Sequence, residues 1–319
     1  MAVNGYVLAI AAALLFSSKS ILIKLAYAAG SNAETLLALR MLMALPVYLA
    51  VWAVHRLRSP TPSSASPATL LGSAAIGVLG YGVSSYLDMK GLESVSAPVE
   101  RLILFTYPFF VAVLGACLFG MRIQGRAVLG LFVSYAGLVL VLRESLSGPV
   151  AAAALGVGLV FGSAATYALF QLLASRVVRR LGTVEFTCVA MSATALVSLA
   201  AFLLRWPATA LLASPEVLLW AALLALLGTV LPSFLLSAAL RSLSPQANSA
   251  IGAISPVFTI VLSMAVLGET MGPMALIGSV VVVAGAVWFS AQEARAARPA
   301  PGALGPVAPA PAPTPSSSG

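Results

Sequence analysis

Ten apolar runs divide this chain, each near the ~20 residues that a helix needs to cross a bilayer. They fall at 4–26, 34–54, 69–90, 96–119, 125–142, 151–175, 183–204, 216–240, 245–267 and 273–290. The polar breaks between them are mostly short, so the runs predict one compact bundle. The fold class read from this pattern is an all-α polytopic membrane protein with ten transmembrane helices. The first run is too long for the apolar core of a signal peptide, and no small-residue cleavage site follows it.

Composition agrees. Hydrophobic residues make up 61% of the 319 and charged residues 8%, with mean hydropathy +1.04. Soluble domains average about 25% charged. A protein folded in water could not hide this much apolar surface.

The net charge of +8 raises the question of nucleic acid. Its distribution answers it. With the N-terminus inside, the cytoplasmic connections carry Arg56, Arg58, Arg122, Arg126, Arg176, Arg179, Arg180, Arg241, Arg295 and Arg298. The outer connections carry little beyond Lys90, Arg143 and Arg205. This is the positive-inside bias of an inserted protein with both termini cytoplasmic, in the cytoplasmic membrane of a bacterium. Membrane lipid and a small-molecule substrate are the expected partners, nucleic acid is not, and a homodimer stays open.

The sequence also repeats. Shifted by 148 positions, "LESVSAPVERLILFTYPFFVAVLGACLFG" (92–120) lies over "LRSLSPQANSAIGAISPVFTIVLSMAVLG" (240–268) without a gap. Pro108, Phe110 and Gly120 meet Pro256, Phe258 and Gly268, and Gly130 and Gly137 meet Gly278 and Gly285. Five helices are thus duplicated, as residues 1–145 and 146–292. Five is odd, so the second copy must enter from the opposite side. Inverted repeats of this kind are common in secondary transporters and underlie alternating access. Pro108 and Pro256 fall mid-run in the fourth and ninth runs, where proline removes a backbone hydrogen bond and kinks the helix. They are candidate gating bends beside a central cavity, or static packing kinks. The tail, 293–319, is rich in Pro, Ala, Gly and Ser and predicts disorder.

Two segments resemble a known family. The pattern SxSPxxxxxIxxxxPVFTxxLxxxxLGE at 242–269, and "LALRMLMALP" with Arg40 in the second run, are similar to the EamA family of the drug/metabolite transporter superfamily. The resemblance covers roughly residues 4–290. It implies a ten-helix transporter, often an exporter of amino acids or related metabolites. The first half departs from the family pattern. Glu100-Arg101 stand where many members have small or apolar residues, and Gly120-Met121 where a Gly-Glu pair would close the helix.

Charge inside the apolar runs is costly and points to function. Lys19 and Lys24 lie in the first run, Arg40 in the second, Asp88 and Lys90 end the third, and Glu100 and Arg101 open the fourth. All fall toward the outer side, Lys19 ~10 Å deep at 1.5 Å per residue. The aligned second-half positions are uncharged: Leu236, Asn248 and Ser249 stand for Asp88, Glu100 and Arg101. Neighbours on a helix point ~100° apart, so Glu100 and Arg101 are not expected to face each other. Glu100 could meet Lys19 or Arg40, and Arg101 could meet Asp88.

Three readings stand. The cluster is an ion-pair network tying the first four helices. Or it lines a substrate path, its cationic excess receiving a carboxylate or phosphate through the planar fork of arginine. Or Glu100 is a first-turn residue on the helix dipole, with Ser96 as the cap and Pro98 in the first turn. The candidate substrate-binding residues are Lys19, Arg40, Glu100, Arg101, Tyr107, Gln171 and Asn248, and the gating candidates are Asp88, Pro108 and Pro256. Tyr81, Tyr86 and Tyr167 could add to a cavity.

Cys117 and Cys188 read as buried apolar residues and His55 as interfacial. Trp52, Trp206, Trp220 and Trp288 lie near run ends, as interfacial anchors do. An intramembrane enzyme would need a histidine dyad, a metal cluster or paired aspartates, and none stands out. No phosphate-binding loop suggests an ATPase, and no cofactor is expected. The function read from the sequence is a secondary transporter of small polar metabolites, such as amino acids or related anionic or zwitterionic solutes. The alternatives are an exporter of drug-like amphiphiles and a membrane sensor or assembly protein.

Overall fold

The computed structural model describes residues 4–58, 66–121, 125–145, 150–252 and 254–296. Residues 297–319, most of the predicted tail, lie outside the described residues, as does Arg122. Among the described residues the protein is all helical. We label α1 Gly5–Ala28, α2 Ala33–Arg58, α3 Pro67–Leu92, α4 Ala97–Phe119, α5 Gly125–Ser145 and α6 Val150–Leu181. There follow α7 Thr183–Leu203, α8 Pro215–Ser242, α9 Pro245–Ile251, α10 Ile254–Val266 and α11 Pro273–Ala296. Among the described residues nine helices are long and apolar enough to cross a membrane.

The ninth predicted run is the exception. It falls into two shorter pieces, α9 and α10, which meet near Gly252. The fourth run is interrupted too. Its helix turns out of register at Phe105–Thr106 and restarts at Tyr107 with Pro108 in the first turn. A proline ring clashes with the carbonyl four residues back, so the chain breaks ahead of it and uses it where no N–H is needed. Pro256 is the third residue of α10. The prolines therefore sit at helix starts and not at mid-helix kinks. The last helix runs to Ala296, past the predicted boundary at 292.

Local geometry recurs at the 148-residue spacing. Ser66 caps α3 by accepting from the N–H of Thr69, ahead of Pro67. Ser214 caps α8 by accepting from that of Val217, ahead of Pro215. α3 contains a π-helical turn at Val78–Val83, and α8 one at Leu226–Val230. Gly120 and Gly268, with φ of 65° and 64°, follow the helices ending at Phe119 and Val266 and take the left-handed conformation that favours glycine.

The helices also pack crosswise. α1 lies against the C-terminal half of α8 and against α10, while α6 lies against the C-terminal half of α3 and against α4. α2 meets α7, and α5 meets α11. In the last pair the backbones touch. A Cβ on Gly137 would stand 2.7 Å from the carbonyl oxygen of Gly278, and one on Gly130 would stand 2.6 Å from that of Gly285. Such contacts are how membrane helices associate where lipid offers no hydrophobic gain. Buried hydroxyls add links, Tyr48 to Ser233 at 2.8 Å between α2 and α8 and Thr187 to Ser237 at 2.7 Å between α7 and α8. The outer surface carries large apolar side chains such as Leu71, Leu129, Phe132 and Val280. Such a surface suits hydrocarbon.

Candidate functional site

A cavity of about 90 Å³ lies where the crossed helices meet. Phe16 and Lys19 reach it from α1, Arg40 from α2, Tyr81, Ser84 and Ser85 from α3, and Arg101, Phe105 and Tyr107 from α4. Ser163 and Tyr167 of α6, Gly228 and Thr229 of α8, Asn248 of α9, Gly252 and Ser255 also line it. Every irregular stretch named above borders this space. Gly80 and Tyr81 belong to one π turn and Gly228 and Thr229 to the other, Phe105 to the break in α4, and Gly252 to the gap between α9 and α10. Irregular backbone at membrane depth is tolerated where it is buried in protein or lines a cavity. The π turn in α8 is locally repaired, since the Thr229 hydroxyl donates to the carbonyl of Leu224 at 3.0 Å.

A charged layer flanks the cavity. Lys19 Nζ stands 2.5 Å from Asp88 Oδ2, joining α1 to α3. Ser20, the next residue on α1, is the hub of a second group. Its hydroxyl donates to Glu100 Oε2 at 2.6 Å and accepts from Arg101 Nη2 at 2.7 Å. Arg101 Nη2 also donates to the carbonyl of Phe16 at 2.7 Å.

The pairing differs from the sequence expectation in two respects. Glu100 and Arg101 do approach one another, with Nε 3.9 Å from Oε2, because both long side chains bend toward Ser20. Lys19, free to meet Glu100, pairs with Asp88 instead. The cap also differs. Ser96 precedes α4 but its side chain makes no capping bond. The carboxylate of Glu269 accepts from the N–H of Ala97 at 3.1 Å and from the Ser263 hydroxyl at 2.5 Å, tying the segment after α10 to the start of α4.

Of the candidate binding residues, Lys19, Arg40, Arg101, Tyr107 and Asn248 line the cavity. Glu100 and Gln171 stand behind the lining: Glu100 is fully buried, and Gln171 accepts from Asn248 Nδ2 at 2.9 Å. Tyr107 reaches the carbonyl of Ser249 at 3.3 Å. Of the gating candidates, Asp88 is in the charged layer, and Pro108 and Pro256 lie outside the lining. Tyr81 and Tyr167 line the cavity, but Tyr86 faces a separate groove, where its hydroxyl donates to Glu34 at 3.3 Å. Ser20 and Glu269 escaped the sequence reading. The polar cluster "SSKS" at 17–20 and the closing Glu of the 242–269 pattern were the available signals.

Arg40 is the outlier. It is 1% exposed, and its Nε and Nη2 have no hydrogen-bond partner.

The chain as a whole is similar to known proteins. Residues 3–143 and 154–291 match the EamA-like transporter family. The uncharacterized transporter YcbK of Bacillus subtilis is 29% identical over 269 residues, covering 82% of this chain and 85% of that protein. A solved crystal structure superposes with a TM-score of 0.66 at 17% identity, over 92% of this chain and 99% of the other.

Proposed function

Since the chain belongs to the EamA-like transporter family, we propose that it is a secondary transporter of small polar solutes working by alternating access. The observation that carries this reading is the cavity itself. Its wall is drawn from both halves of the sequence, and three cationic side chains line it. A solute held there is handed from one side to the other when the halves rock against each other.

Two inverted five-helix repeats supply the symmetry for that motion, with α9 and α10 together as one broken crossing. The caps, π turns and glycines spaced by 148 residues support this reading, as does the contact of Gly130 with Gly285 and of Gly137 with Gly278. Pairs that rise in one helix as they fall in the other belong to antiparallel helices, and each pair maps onto the other under the shift. The arginine distribution supports cytoplasmic termini, and the family resemblance favours export. The Glu269–Ala97 contact then closes the outer end in this conformation.

Counterflow in proteoliposomes tests the proposal. Vesicles loaded with a mixed pool of amino acids and organic acids should accumulate labelled solute through the wild-type protein and through no empty-vesicle control. Folded protein that moves no solute of either pool would end this reading.

A further inference from the structure

The cavity is lined by three cations and by no carboxylate. Four buried polar atoms on the residues lining it lack any hydrogen-bond partner, namely Arg40 Nε and Nη2, Arg101 Nε and the hydroxyl of Tyr81. Each can donate. The buried carboxylate oxygens without partners belong to Asp88 and Glu100, and neither residue borders the cavity. The three cations thus belong to lining residues, while the two carboxylates that answer them belong to residues behind the lining.

Pairing narrows this further. Lys19 is held by Asp88, and Arg101 by Ser20 and the Phe16 carbonyl. Arg40 keeps its charge with no such hold. Its Nε and Nη2 are neighbours on one edge of the guanidinium plane, the edge that grips both oxygens of a carboxylate in parallel. A buried cation with empty donors is costly, and an arriving anion offsets that cost.

We infer that Arg40 is the docking point for the carboxylate of a small organic acid that carries no amine. The inference rests on the transport reading and specifies its solute. A phosphate brings a second charge and a third oxygen, and Lys19 and Arg101 are each already held by groups of the protein. An ammonium would find no carboxylate on the wall. The remaining wall combines Phe16, Leu104, Phe105 and Tyr167 with small hydroxyl side chains and the amide of Asn248. The apolar part of a branched or aromatic monocarboxylate would meet those aromatic side chains.

The test is ligand-induced thermal stabilisation of the purified full chain in detergent. The probes are 3-methylbutanoate, benzoate, leucine, 3-methylbutylamine and methyl phosphate, each near neutral pH. At least one of the two carboxylates should raise Tm, and the other three probes should not at equal concentration. Arg40→Gln should keep or raise the Tm of the empty protein, because it removes an unpartnered buried charge, and should weaken carboxylate binding at least ~30-fold. Arg40→Lys, with charge but no fork, should recover less than half of the stabilisation.

The inference falls if neither carboxylate stabilises folded protein, if leucine or the amine does so equally, or if Arg40→Gln binds as wild type does. It also falls if Arg40→Gln lowers the Tm of the empty protein and Arg40→Lys restores it, which would make Arg40 structural. The transport reading fails separately. Carboxylate binding without counterflow would leave the site standing and remove transport. Counterflow that is indifferent to Arg40 would do the reverse.

Discussion

Ser134 of α5 donates a hydrogen bond to the carbonyl of Val282 of α11, at 3.0 Å, and Val282 lies 148 positions after Ser134. A residue meets its own counterpart only where the two copies cross. The glycine contacts flank this point on either side, so the crossing of α5 and α11 is where the two halves are joined backbone to backbone.

Bulk at that crossing should be poorly tolerated. Gly137→Leu puts a side chain where the Gly278 carbonyl stands, and overpacking of this kind costs about 1–3 kcal/mol or more. Thermal unfolding in detergent should show a lowered Tm. Gly158→Leu, at a position with open space around its Cα, should leave Tm nearly unchanged. Equal effects would remove the crossing as a special joint.

The Lys19–Asp88 pair is buried, with side chains 11% and 1% exposed. Lys19→Met or Asp88→Leu alone leaves a charge without its partner, at a cost of about 3–5 kcal/mol. The double variant should recover much of that loss. A double variant as unstable as the sum of the singles would show that the two side chains are not energetically coupled.

Glu269→Ala removes the acceptor at the start of α4. The loss of a cap costs about 1 kcal/mol. Because the contact joins segments from both halves, its loss should also favour opening at that end. Ser85→Cys, in a Cys117→Ala/Cys188→Ala background, should react faster with a membrane-impermeant maleimide once Glu269 is replaced. An unchanged rate would restrict Glu269 to capping.

Orientation can be read with the same reagent on intact cells. Ser31→Cys and Thr209→Cys should label from outside, and Arg58→Cys and Arg180→Cys only after the cells are opened. Position 180 lies beside 179, the shifted counterpart of position 31. Labelling of 31 and 180 from the same side would overturn the inverted arrangement.

The architecture was largely legible in the sequence because hydrocarbon imposes a simple rule of length and apolarity on each crossing. The charged layer was legible as a set, since ionisable residues stand out in such runs. Its pairings were not. They depend on which faces the crossed helices bring together, and on Ser20, a small hydroxyl that draws Glu100 and Arg101 to one point. The π turns left no mark in composition. The interruption of α4 was signalled by Pro108, but its position, one turn earlier than a kink, follows from where the ring would strike the preceding carbonyl. That Tyr86 lines a different groove from Tyr81 was not legible, because periodicity places a residue on a helix face without saying which neighbour that face meets.

The charged layer belongs to one half of the sequence alone. Two matched halves without it would rest equally in either orientation, as a balanced seesaw does. Burying five ionisable side chains on one arm loads that seesaw. On the proposed reading, the empty carrier therefore has a preferred resting side, and its half-saturation for the same solute differs between the two faces of the membrane. Entry and exit become unequal tasks, although the scaffold that performs them is built twice from one pattern.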